Sequence, residues 1–145
     1  VAKQILVIED NQADVELLRY FLRPGPDSPE MVVASDGVEA LRMLRGQAPY
    51  EKAIQPGLIL LDLNLPRKDG REVLTELKED PQLRHIPVVV LSTSDAAIDI
   101  SRAYALHANC YLQKPADVDE FERTVRGIED FWLTLVKLPP IGARA

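Results

Sequence analysis

The stretch LILLDLNLPRKDG, residues 58–70, decides the fold. Leu58 to Leu61 are four consecutive apolar residues, the pattern of a short strand buried on both faces, as found in parallel sheets covered by helices. The run stops at an acid, Asp62, and the chain then turns through Pro66 and Gly70. A carboxylate at the end of a buried strand lies against low-dielectric protein and needs a cation, a hydrogen-bond donor or a proton.

Similar short runs recur on either side: QILVIE at 4–9, MVVA at 31–34, VVVL at 88–91 and CYLQ at 110–113. With 58–61 they make five expected strands. Between and after them, apolar residues spaced by three and four predict helices near 12–22, 36–45, 70–79, 95–107 and 117–136. Asp36 is a suitable N-cap for the second, and Pro24 and Gly25 end the first. Strict alternation of strand and helix, with near-continuous apolar strands, predicts an α/β fold: a five-stranded parallel sheet with helices on both faces.

The 145 residues, 46% of them hydrophobic, suit one compact domain. The formal charge is -6, and the 17 Lys and Arg residues are scattered rather than gathered in a stripe, which argues against nucleic-acid binding. The lone Cys110 has no internal disulfide partner, and neither a signal-peptide core nor a membrane-length apolar run is present in the sequence. The expectation is a soluble, cytoplasmic chain.

Ligands of such sheets lie beyond the carboxyl ends of the strands. There the first strand carries Glu9 and Asp10, the third Asp62 and Asn64, the fourth Ser92, Thr93 and Ser94, and the fifth Lys114 followed by Pro115. Three carboxylates about 5 Å apart at an effective dielectric near 20 repel by roughly 10 kcal/mol in total, comparable to a domain's whole stability. Lys114 offsets one charge, and Mg²⁺ suits a site of a few carboxylates, a backbone carbonyl and retained waters. A metal beside an ammonium and a hydroxyl is equipment for phosphoryl transfer, with Asp62 as the nucleophile. Taken singly, Asp10 and Asp62 could equally be helix N-caps, Ser92 a loop residue and Lys114 a solvated lysine.

ILVIEDN at 5–11, LLDLNLPRKDG at 60–70, VVVLSTS at 88–94 and YLQKPA at 111–116 resemble the signature segments of the two-component response regulator receiver domain. The likeness spans residues 3 to 136, with 1–138 as the receiver domain and 139–145 as a disordered tail. It implies a flavodoxin-like sheet of order 2-1-3-4-5, with Asp62 as phosphoacceptor for a partner histidine kinase. It also implies direct Mg²⁺ ligation by Asp10 and Asp62, a water-mediated contact from Glu9 and a carbonyl ligand from Asn64. Ser92 then stands at the switch hydroxyl, Lys114 at the family's lysine and Tyr111 at the switching aromatic, while the Lys114–Pro115 bond is expected to be cis. LHANCYLQKP at 106–115 and IEDFWLTLVKLP at 128–139 are similar to the stand-alone regulators of bacterial, especially cyanobacterial, phytochrome kinases.

Two other readings stand beside this one: an aspartate-nucleophile phosphohydrolase, and a receiver-like module that binds partners without phosphorylation. Such hydrolases carry a second Asp two residues after the first, where this chain has Asn64. On the receiver reading the chain is not a conventional enzyme, because it catalyses only its own phosphorylation and slow dephosphorylation. With only PPIGARA after Leu138, no fused output domain is expected. Phe121, Val125, Ile128, Trp132 and Leu135 form one apolar stripe for the sheet, leaving Phe131, Leu133 and Val136 for a second surface such as a homodimer contact. His85 and His107 form no ligand pair and are read as surface residues, and Cys110 as a small buried hydrophobe.

Overall fold

The computed structural model describes residues 4–22, 25–26 and 28–140. Strands β1 (Gln4–Ile8), β2 (Glu30–Ala34), β3 (Leu58–Leu61), β4 (Val88–Ser92) and β5 (Cys110–Gln113) alternate with helices α1 (Gln12–Phe21), α2 (Gly37–Arg45), α3 (Gly70–Glu79), α4 (Ala97–Ala105) and α5 (Val118–Ile128). A π-helical segment, Glu129–Leu135, continues α5. The strands form one parallel sheet in the order β2-β1-β3-β4-β5. The expected α/β fold and strand order are therefore what the chain adopts. Pro24, the expected stop of the first helix, and residues 141–145 of the expected tail lie outside the described residues.

Side-chain alternation along the strands divides the core in two. Leu6, Ile8, Ile59, Leu61, Val88 and Val90 face α2 and α3, whereas Ile5, Val7, Leu58, Leu60, Val89 and Leu91 face α1 and α5. Both faces of the three central strands are thus buried, which is why these strands read as unbroken apolar runs. Full burial of each Leu or Ile contributes about 2 kcal/mol.

Local chemistry sets the helix starts. Asn11, Asp36, Asp69 and Asp117 cap α1, α2, α3 and α5 through side-chain oxygens that accept from backbone N–H groups. Helix α4 begins two residues later than its pattern predicts, at Ala97, because Ser94 Oγ already accepts from the Ala96 N–H (3.1 Å) and the loop is held outside the helix. Gly70 is required by close packing: a Cβ there would lie 2.5 Å from the Asp62 carbonyl oxygen and from the Leu63 Cα. That contact seats the start of α3 on the backbone that carries Asp62.

The end of α5 departs from the expected stripe. Phe121, Val125 and Ile128 are buried as predicted, but the next buried residue is Leu133, five positions after Ile128, and Leu135 is 71% exposed. The i→i+5 bonding of the π segment rotates the side chains after Ile128 away from a 3.6-residue repeat. Leu133 is therefore a core residue and presents no surface to a partner, which corrects its assignment to an interface. Phe131 is exposed and Val136 half-buried, and Trp132 packs on the core with its ring edge-on to Phe131 at 5.3 Å.

Candidate functional site

Sheet register delivers the acids to one place. Ile8 pairs with Leu61 across β1 and β3, so Glu9 and Asp62 each stand one residue beyond a matched pair. Their backbones remain tied to the sheet, Glu9 N–H donating to the Ala34 carbonyl (3.0 Å) and Asp62 N–H to the Ile8 carbonyl (3.0 Å). On the other side, Ser92 pairs with Gln113 across β4 and β5, so Lys114 emerges next, its N–H donating to the Ser92 carbonyl at 2.5 Å.

Carboxylate oxygens of Glu9, Asp10 and Asp62 all lie within 4.8 Å of one another. Glu9 and Asp62 are buried, while Asp10 is exposed and leaves the cluster open on one side. Lys114, also buried, places its ammonium 2.6 Å from Glu9 Oε1, 2.8 Å from Asp14 Oδ2 and 3.6 Å from Asp62 Oδ2. Asn11 N–H donates to Glu9 Oε2 (3.1 Å), and Asn64 N–H donates to Asp62 Oδ1 (3.1 Å).

Charge is out of balance here. Burial, and then a hydrogen bond shared with Asp62, push the Glu9 carboxyl up to about 7, against the opposing pull of Lys114. Burial alone would lower the Lys114 ammonium, but its hydrogen bonds to Asp14 and Glu9 and the Asp62 charge outweigh that and hold it above the usual lysine range. One ammonium does not neutralise this many carboxylates, and a group of convergent oxygens with an open side fits a hard divalent cation.

The Ser92 flank is built differently. Ser92, the last residue of β4, is 1% exposed, and its Oγ accepts from the Ser94 N–H (3.3 Å). The Tyr111 hydroxyl donates to the Ser94 carbonyl (2.9 Å), so the aromatic is tied to the loop that leaves Ser92. Ser94 Oγ donates to Asp99 Oδ2 (2.6 Å), and Arg71 holds Asp99 Oδ1 at 3.2 Å. The Ser94 hydrogen bond first, then the Arg71 guanidinium, hold the Asp99 carboxyl below its ordinary value. Thr93, adjacent to Ser92, is exposed.

One expectation at this edge is corrected: the Lys114–Pro115 bond is trans, and the cis X–Pro bond among the described residues is Ala48–Pro49. A proline makes cis accessible without making it favoured, since the trans form keeps an advantage of about 0.5–1 kcal/mol. His107 is exposed at the end of α4 with φ 72°, and His85 is half-buried before β4; neither belongs to the acid cluster. Cys110 is half-buried rather than buried, with its thiol pushed up by burial.

Two parts of the site were missed in the sequence. Asp14 sits in the first turn of α1, where an acid is normally read as a partner of the helix dipole. Its spacing from Asp10, one helical turn along the chain, was the available signal. The Ser94–Asp99–Arg71 chain joins three separate segments, and no local pattern announces it.

The model of the response regulator receiver domain matches residues 5–126. The chain is 47% identical over 137 residues to Response regulator Rcp1 from Synechocystis sp., covering 94% of this chain and 93% of that protein. The crystal structure of the phosphorylated cyanobacterial phytochrome response regulator RcpA superposes with a TM-score of 0.91 at 50% identity, covering 95% of this chain and 99% of that one. The Mn²⁺-bound form of Rcp1 gives 0.91 at 47% identity over the same shares. Sheet order, the acid cluster with its lysine, and these likenesses agree, and the chain belongs to the response regulator receiver family.

Proposed function

We propose that this chain is a stand-alone response regulator that accepts a phosphoryl group on Asp62 from a histidine kinase of the phytochrome type, with Mg²⁺ as cofactor. The observation that carries this reading is the convergence of Glu9, Asp10 and Asp62 oxygens within 4.8 Å beside the Lys114 ammonium. The likeness to Rcp1 and to the phytochrome regulator RcpA supports the class of donor.

Asp10 and Asp62 would hold the metal directly, with Glu9 through water and the Asn64 carbonyl completing the protein's share. When bound, Mg²⁺ supplies positive charge to the equatorial oxygens of the transferring group. An Asp62 carboxylate oxygen attacks phosphorus, the bond from phosphorus to the donor's imidazole nitrogen breaks, and that nitrogen keeps the electron pair. Lys114 donates to a phosphoryl oxygen on one side and Ser92 on another. Tyr111, tied to the loop after Ser92, then has reason to move with it.

The product is a modified protein and not a released compound, so the chain is a phosphoacceptor rather than a conventional enzyme. The signal leaves through protein contacts in the cytoplasm. Among the described residues no helix is long and apolar enough to cross a membrane. The exposed Phe131 and half-buried Val136 offer part of a homodimer surface.

The test is phosphotransfer from an autophosphorylated phytochrome kinase. Label passes to the wild type in the presence of Mg²⁺ and not to Asp62→Asn. Transfer that survives Asp62→Asn removes the reading. Sizing with and without beryllofluoride and Mg²⁺ tests the dimer separately, and a constant monomeric mass rejects it.

A further inference from the structure

We propose that Asp14 is a positioning residue that holds the Lys114 ammonium off the phosphoacceptor, keeping the Asp62 carboxylate open to the cation and to phosphorus. The inference rests on the reading of Asp62 as phosphoacceptor and adds a residue that the acid cluster itself does not contain.

An ammonium has three donors and no acceptor. In Lys114 two of them are engaged at hydrogen-bond distance, by Glu9 at 2.6 Å and Asp14 at 2.8 Å, whereas Asp62 Oδ2 at 3.6 Å is beyond it. The lysine therefore neutralises the edge of the site without a hydrogen bond to the Asp62 carboxylate.

Glu9 cannot be relied upon for this hold, because it belongs to the group that faces the cation. Asp14 stands outside that group. Its backbone is pinned by the N-cap of α1, the Asp14 N–H donating to Asn11 Oδ1 at 3.1 Å, and its half-buried side chain reaches from the first turn of the helix to Lys114, 100 residues away in the chain. Binding of a cation at Glu9, Asp10 and Asp62 leaves this anchor in place.

Loss of the Asp14 carboxylate leaves Glu9 as the ammonium's one short partner. The nearest alternative is Asp62 Oδ2, and a shift of about 0.8 Å (3.6 Å less 2.8 Å) makes that a hydrogen bond. Lys114 and the cation then compete for one carboxylate. The resulting defect is in metal binding by the unphosphorylated protein, upstream of any chemistry.

Mg²⁺ affinity measured calorimetrically on unphosphorylated wild type, Asp14→Ala, Asp14→Asn, Lys114→Met and the Asp14→Ala/Lys114→Met pair tests this. Asp14→Ala is expected to weaken Mg²⁺ about tenfold with Lys114 present and by no more than about threefold without it. Asp14→Asn, which keeps an oxygen to accept from the ammonium, recovers part of the loss. That partial recovery reads the effect even if the lysine variant does not fold. Equal weakening in both backgrounds, or identical Ala and Asn values, would show Asp14 acting on the cation as a distant charge and overturn the proposal. Unchanged affinity with only a lower melting temperature reduces Asp14 to a helix-terminus residue and overturns it as well. Because nothing is phosphorylated in the titration, its failure is distinct from a failure of labelling at Asp62.

Discussion

Two carboxylates near the carboxyl edge of the sheet, Glu9 and Asp99, have their acidity moved in opposite directions. Glu9 is buried beside Asp62, and its carboxyl is pushed up to about 7. Asp99, on the β4–α4 flank, takes a hydrogen bond from Ser94 and a contact from Arg71, and its carboxyl is held low. Both sites have cationic partners, so the presence of a cation is not what separates them. The difference is burial first and partner number second: Glu9 is buried against a second carboxylate and shares one ammonium with Asp14 and Asp62, whereas Asp99 is partly exposed and takes a hydrogen bond from Ser94 besides its contact with Arg71. The Asp99 carboxylate finds its partners within the protein, and the acid cluster is arranged to be completed by something else.

Lys114 carries the largest expected effect. Replacing it with Met leaves buried carboxylates without their counter-ion, and the metal-free protein is expected to lose about 3–5 kcal/mol by urea unfolding, with much of the loss restored by Mg²⁺. An apolar control fixes the scale. Leu133→Ala is expected to cost about 2–4 kcal/mol with no response to Mg²⁺, because it removes packing from the core and no charge.

Protonation of Glu9 sharpens the same contrast. Its folded value is raised above the ordinary 4.5, so the folded chain holds a proton that the unfolded chain gives up. The associated stability is fully present below about 4.5 and is lost as pH rises through about 7. Metal-free stability should decline by about 1–3 kcal/mol from this group across that window, and saturating Mg²⁺ should remove the decline. Mg²⁺ binding below neutral pH should release protons, measurable as a buffer-dependent heat. The smallest effect is expected at the flank: Arg71→Ala should lower the urea midpoint less than any of these changes, equally with and without Mg²⁺, because a partly exposed ion pair contributes little.

Much of this was legible from residue order. Strands β3 and β4 are buried on both faces, which matches their unbroken apolar runs, and the rule that ligands meet the carboxyl ends of strands gathers Glu9, Asp10, Asp62, Ser92 and Lys114 from residue order alone. Legibility failed where local pattern and tertiary geometry part. The stripe along α5 was projected with an α-helical repeat, and the π segment transferred burial from Leu135 to Leu133. An acid in the first turn of a helix already suits the helix dipole, so nothing in the local pattern points from Asp14 to Lys114. The expected cis bond at Pro115 came from resemblance alone, and the backbone does not adopt it.

On the proposed function, Asp62 supplies the oxygen that reacts once the acid cluster is completed. Intact and peptide mass spectrometry after incubation with acetyl phosphate tests this most directly. One phosphoryl group is predicted on Asp62, appearing only with Mg²⁺ and not formed when the cation is chelated before the phosphodonor is added. A phosphoryl group found on another residue, or on Asp62 to the same extent without a divalent cation, would contradict it.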